Sequence, residues 1–278
     1  MLFDSHAHLL LLDDKEKTIN NMQEDNLAFI INAGTTLDDS KRGVDLAQAN
    51  KNVYAMIAIY PEYASDYSDA VENELDKLAK NDKVVAFGEI GLDYHSEGYD
   101  KEKQKEVFVR QIKLAYKNNL PICIHCRNAA SDVYEILKEN KYIFEKGVLL
   151  HCFSEDMEYT KKFAELGCYF SFSGNITYKK VDTDRVKAID INKILIETDS
   201  PYLSPMPVRG TKNFPANVKY TAQKIADILQ MDCLKFQEIA IKNAKTFFKK
   251  IKNVEIWFPH YTCNYNRFCM CNYIINPF

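Results

Sequence analysis

Eight times along this chain a run of consecutive apolar residues gives way to a stretch whose apolar residues recur at helical spacing. That alternation constrains the fold more than any other feature. After the opening Leu2-Phe3, the runs lie within residues 27–34, 54–60, 84–94, 121–126, 147–153, 169–174 and 193–199. They are continuously apolar rather than alternating, which is the pattern of parallel strands covered on both faces. Between them, Val44 and Ala47, then Leu75 and Leu78, then Phe108, Ile112 and Ala115 mark amphipathic helices. A polar helical stretch over 15–26 carries Ile19 and Met22 on one side, and a short helix is expected around Val186 and Ile189. Two strongly periodic helices close the pattern, around Ala222 and Ile225 and around Phe236 and Ala240.

Eight strand–helix units in about 250 residues are the arithmetic of an α/β fold of the (β/α)8 TIM-barrel type. A doubly wound open sheet is the alternative. It usually has fewer strands and often carries a Gly-rich phosphate loop, which is absent here. Neither a linker nor a repeat breaks residues 1–252, so they are read as one domain. Residues 253–278 lack both periodicities and are read as a short irregular tail. His260, Cys263, Cys269 and Cys271 there make a poor zinc knuckle, because Cys-x-Cys is a weak pincer for a structural zinc.

Composition narrows the partners. A hydrophobic fraction of 46% and a charged fraction of 27% describe a chain with enough apolar mass for a full core. The net charge of −3 gives no general affinity for polyanions, so a nucleic-acid substrate needs a local basic rim or bound metals. No apolar run approaches membrane-spanning length, and no leader-like segment precedes the first strand, so a cytoplasmic monomer is expected. Cys123, Cys126 and Cys152 sit inside apolar runs and are read as small core residues.

The chemistry gathers at strand ends. His6 and His8 are two residues apart, so in a strand they project from the same face. Glu89, His125, His151 and Asp199 stand at the ends of the fourth, fifth, sixth and eighth runs. In a barrel these ends share one face, where active sites lie. Four imidazoles and two carboxylates exceed the needs of one tetrahedral zinc. They suit two divalent cations roughly 3.5–4 Å apart with a carboxylate able to bridge them. Each side chain alone could be a satisfied buried polar group, but six at matching positions make a metal site the stronger reading.

These same residues carry a family resemblance. Asp4-Ser5-His6-Ala7-His8-Leu9, Gly88-Glu89-Ile90-Gly91-Leu92-Asp93-Tyr94, His125-Cys126-Arg127, His151-Cys152-Phe153-Ser154 and Glu197-Thr198-Asp199-Ser200-Pro201-Tyr202-Leu203 occur in order over residues 1–251. Together they resemble the signatures of the TatD family of metal-dependent deoxyribonucleases, and Arg209-Gly210, Asn213 and Pro215 fit as well. The resemblance implies a barrel hydrolase with two divalent cations that cleaves phosphodiester bonds of DNA, with His6, His8, Glu89, His125, His151 and Asp199 as ligands. Mg2+ or Mn2+ suits such a mixed His/carboxylate set, with Zn2+ an alternative. Asp199 and Glu89 are the expected catalytic carboxylates, and Arg127, Tyr60 and Arg209 the expected substrate contacts. Glu197, on the same strand face as Asp199, is placed to orient a ligand.

Three positions depart from the family pattern. Tyr60 replaces the usual His before Pro61, Asn128 replaces an Asp after Arg127, and Glu155 replaces a Gly after Ser154. A phenol grips phosphate less strongly than an imidazole but offers a flat face to a base, so exonucleolytic action on single-stranded ends is expected. A rival reading is an amidohydrolase or a D-aminoacyl-tRNA deacylase. Two-metal amidohydrolases often place a carboxylated Lys on strand four, where this chain has Glu89.

Overall fold

The apolar runs form eight parallel strands in a computed structural model that describes residues 1–95 and 97–252. They are β1 (Leu2–Ala7), β2 (Leu27–Asn32), β3 (Val53–Ile57), β4 (Val84–Asp93), β5 (Ile122–Arg127), β6 (Val148–Leu150), β7 (Tyr169–Phe172) and β8 (Ile194–Ile196). Each pairs with its neighbour in sequence order. The seam between β8 and β1 is completed by a parallel bridge from Ala7 to Ser200 and by the backbone bonds His8 N to Ser200 O and Asp199 N to His6 O. The expected (β/α)8 barrel is the fold.

Helices α1 (Lys15–Asn20), α2 (Leu37–Ala49), α3 (Asp69–Leu78), α4 (Lys101–Lys117), α5 (Ala130–Glu139), α6 (Met157–Leu166), α7 (Asp184–Lys187), α8 (Val218–Ile228) and α9 (Cys233–Phe247) alternate with the strands. Thr36, Ser68, Asp100, Asp156 and Asp232 start α2, α3, α4, α6 and α9 by accepting a backbone N–H in the first turn. Phe108, Ile112 and Ala115 point inward from α4, as their spacing predicts. Phe3, Phe29, Phe87, Phe170 and Phe172 are fully buried, each contributing roughly 1.5–3 kcal/mol by leaving water.

Several expectations change in detail. The first helix stops at Asn20, short of residue 26, and α7 is a single turn. The fourth strand does not end at Glu89 but runs on to Asp93 beside β5. Gly91 permits this: its φ is +136°, and a Cβ there would lie 2.1 Å from the carbonyl oxygen of His125. Cys123 is buried as expected, whereas Cys126 and Cys152 are only partly buried and line an open cleft. Cys126 sits near the end of β5, and a tight turn just past β6, with Cys152 at φ 44°, brings Cys152 there. The zinc-knuckle residues and the tail from residue 253 lie outside the described residues.

Candidate metal centre

Glu89 lies at the middle of the site, and its two oxygens face different partners. Oε1 is 2.8 Å from His125 Nδ1 and 2.7 Å from His151 Nε2. Oε2 is 3.5 Å from His6 Nε2 and 3.8 Å from His8 Nε2. Asp199 Oδ1 stands 3.4 Å from His8 Nε2 and 3.8 Å from His6 Nε2. The structure therefore gathers the six side chains named from the sequence, the four imidazoles around Glu89 and Asp199 beside His6 and His8.

Each is delivered by its strand. His6 points inward from within β1, and His8 follows one residue past it. Glu89 sits inside β4 and His125 inside β5. The two remaining strands are only three residues long, so His151 follows β6 directly and Asp199 lies three residues beyond β8. Asp199 adopts φ 55°, a left-handed conformation that an Asp tolerates and that functional sites often hold.

The charges are strongly coupled. Burial pushes the Glu89 carboxyl up, but the His151 charge and the contacts with His125, His151 and His6 outweigh it and hold it well below the ordinary carboxylate range. Burial likewise opposes charge on His151, yet Glu89 and Glu197 raise it well above the usual imidazole value. His125 and His8 are raised in the same way, against burial, by Asp93 with Glu89 and by Asp199 with Glu89. Asp199 is lowered, its burial outweighed by His8 and His6. A cation can take over this balance of charge by displacing protons from the imidazoles.

The donors fit a divalent ion. Two triads have ligand atoms mutually within 4.8 Å, His6 with Glu89 and His151, and His6 with His8 and Asp199. The Nε2 of His6 is buried without a hydrogen-bond partner, which is costly for a polar atom unless a ligand satisfies it. Imidazole nitrogens and carboxylate oxygens are both ordinary donors to divalent cations.

Supporting residues orient this set. The buried Glu197 accepts from Cys152 N and Ser171 Oγ, and its Oε1 lies 3.4 Å from His151 Nδ1. Asp93 was not identified as a site residue from the sequence. It bonds His125 Nε2 at 2.8 Å and accepts from the Tyr60 hydroxyl at 3.0 Å. Burial raises Asp93, but the His125 bond and the His95 amide win and bring it down to about 2. Its position four residues after Glu89 on one strand, and so on the same face, was the available signal.

The centre opens into a cleft of about 720 Å3. Tyr60 and Arg127 line it, and Arg127 is exposed with no ion pair among the described residues. Arg209 does not line it. It is exposed, with its guanidinium 4.4 Å from the ring of Tyr178.

The chain is similar to known proteins over most of its length. The family model described as TatD related DNase matches residues 3–249. The uncharacterized metal-dependent hydrolase YabD of Bacillus subtilis is 38% identical over 254 residues, which cover 90% of this chain and 99% of YabD. YcfH of Escherichia coli K12, described in the same words, is 36% identical over 233 residues, 81% of this chain and 87% of YcfH. Among solved structures, the TatD homolog YJJV of Escherichia coli K12 superposes with a TM-score of 0.84 at 24% identity, covering 89% of this chain and 98% of YJJV, a likeness of fold.

Proposed function

The chain belongs to the TatD-related DNase family of metal-dependent hydrolases, and from that premise we propose that it hydrolyses phosphodiester bonds of DNA at unpaired ends, using two divalent cations. The observation that carries this reading is the placement of Glu89, one oxygen toward His125 and His151 and the other toward His6 and His8. A carboxylate so placed would serve two cation positions at once. We take the two to be held by His6, His8, Asp199 and Glu89 and by Glu89, His125 and His151, with Mg2+ or Mn2+ as the ions. Bound there, such ions lower the pKa of water and neutralise phosphate oxygens.

The protein's own groups do the rest. Asp199, beside His8 at the floor of the cleft, accepts the proton of the attacking water. Arg127 at the rim pairs with a non-bridging phosphate oxygen, for which its unpaired guanidinium is suited. Asp93 and Glu197 hold His125 and His151 in one orientation, so the centre need not reorganise during reaction. Among the described residues no helix is long and apolar enough to cross a membrane, and the five cysteines are free, which supports action in the cytoplasm.

The test is hydrolysis of single-stranded, duplex and 3′-end-blocked DNA with Mg2+, with Mn2+ and with EDTA, beside amide, ester and aminoacyl-tRNA substrates. Chelation is expected to abolish DNA cleavage, and either ion to restore it. Full activity in EDTA after exhaustive dialysis, or cleavage confined to the amide, ester or aminoacyl-tRNA substrates, overturns the proposal.

A further inference from the structure

The cleft poses an electrostatic problem for a DNA substrate. Of the residues that line it, Arg127 is the one Lys or Arg, while Asp39 and Glu62 add negative charge outside the metal-ligand set. Among the described residues that line this cleft there is no basic rim of the kind that lets an acidic protein track a phosphate backbone. Beyond the phosphates that Arg127 and the cations can meet, affinity must therefore come from something other than charge.

The mouth supplies an alternative. Six large hydrophobic side chains are exposed among the described residues, and three of them, Leu11 at 51%, Tyr63 at 42% and Tyr202 at 54%, line this cleft. Exposed apolar groups gathered at one opening mark a binding surface rather than scattered surface residues. Each tyrosine also continues inward to the metal centre. Tyr202, past β8, stands edge-on to His8 with ring centroids 5.9 Å apart. Tyr63, past β3, neighbours Tyr60 at 6.4 Å, and Tyr60 in turn meets His125 edge-on at 4.9 Å. The hydroxyl of Tyr60 is engaged by Asp93 and His125, so this ring is fixed in the wall. Tyr63 and Tyr202 are the rings left open to a ligand.

Resting on the phosphodiesterase reading, we infer that Tyr63 and Tyr202 are specificity-determining stacking platforms that hold the terminal unpaired bases of the substrate while Arg127 engages a single phosphate. A paired base keeps its faces covered by its neighbours in the duplex, so such a mouth selects frayed or single-stranded ends. Stacking on an aromatic side chain tolerates any base, because every base has a π-face. The footprint is short, and binding depends on bases more than on backbone charge.

The experiment uses the metal-loaded full chain with Tyr63→Ala, Tyr202→Ala and the corresponding Phe variants. KM is measured on a single-stranded oligonucleotide and on the same oligonucleotide with abasic terminal positions. Binding of a labelled, phosphorothioate-protected strand is followed by fluorescence anisotropy over a range of salt. Each Ala variant is expected to raise KM and Kd for the normal strand by roughly 5- to 150-fold, the span of one lost base stack. The Phe variants should retain wild-type values, and the Ala variants should lose the preference for normal over abasic ends. Bound metal should be unchanged. Log Kd should vary shallowly with log salt, with a slope on the order of 0.7 for one phosphate on a single strand. Unchanged KM in both Ala variants of an enzyme that cleaves DNA overturns the stacking inference alone, as does a salt slope several times steeper. A wild-type protein that cleaves no DNA with any ion overturns the phosphodiesterase reading itself.

Discussion

At Tyr60 a single hydroxyl serves two neighbours. It donates to Asp93 and lies 3.2 Å from His125 Nε2, while the other nitrogen of that imidazole faces Glu89. Replacing it by Tyr60→Phe removes a donor from a buried carboxylate. A loss of about 1–2 kcal/mol is expected, read as a lower urea midpoint at unchanged slope, with metal content as in the wild type. Tyr60→His restores a stronger phosphate donor on the same wall, so cleavage of duplex ends should improve relative to single strands. An unchanged ratio of the two rates would reject that assignment. Asn128 is a plainer departure from the family pattern. Its φ of 55° is a conformation open to Asn and Asp alike, so the backbone accepts the exchange.

Between elements, the seam of the barrel is the structure most closely tied to the site. Asp4 of β1 accepts from the backbone and hydroxyl of Thr198 and from the amide of His6, so one buried carboxylate joins β1 to the segment carrying Asp199. Burial pushes this carboxyl up to about 8, against the three hydrogen bonds that lower it. Asp4→Ala leaves three donors unsatisfied, at about 1–3 kcal/mol each, so a loss of at least ~3 kcal/mol is expected. Metal content should fall with it, because His6 and Asp199 lie on the two sides of the joint. Chemical denaturation together with metal analysis checks this. Near-wild-type stability in the Ala variant would show that the backbone bridge at Ala7 and Ser200 closes the seam unaided.

For the whole molecule, metal loading and pH are linked. His8, His125 and His151 have folded values raised above the ordinary 6.5. Their contribution to the metal-free protein is therefore fully present below that value and is lost as pH rises through the folded values. The lowered Glu89 and Asp199 contribute above the ordinary carboxylate range and stay constant across neutrality. Cation binding requires neutral imidazoles and strengthens as pH rises. The melting temperature of the Mn2+-loaded protein minus that in EDTA should thus widen from about pH 6 to about pH 8. A gap that narrows would contradict the ligand set. Among the described residues Ile251 is the last one buried in the core, and the family match stops at residue 249. A protein lacking 254–278 is expected to keep its melting temperature and metal content. Aggregation or metal loss would assign the tail a structural part.

The barrel was legible because its signal is local. Continuous apolar runs and helical periodicity are set by which faces of each segment leave water, and eight repetitions leave few other architectures. All six cluster residues were read as strand-end residues, since a parallel barrel brings those ends to one face; His6, His125 and Glu89 lie within their strands, and Glu89 is four residues short of the end of β4. What spacing could not express is how neighbouring strands are staggered and where the loops run. The pairing of Gly91 with His125 and of Asp93 with Arg127 decides that Asp93 joins His125, and that Glu89 presents one oxygen to each side. Loop paths decide that Cys152 lines the cleft, that Arg209 lies over Tyr178 away from it, and that Tyr63 and Tyr202 stand open at its mouth. These outcomes rest on many weak contacts between segments distant in sequence, so only the folded chain could settle them.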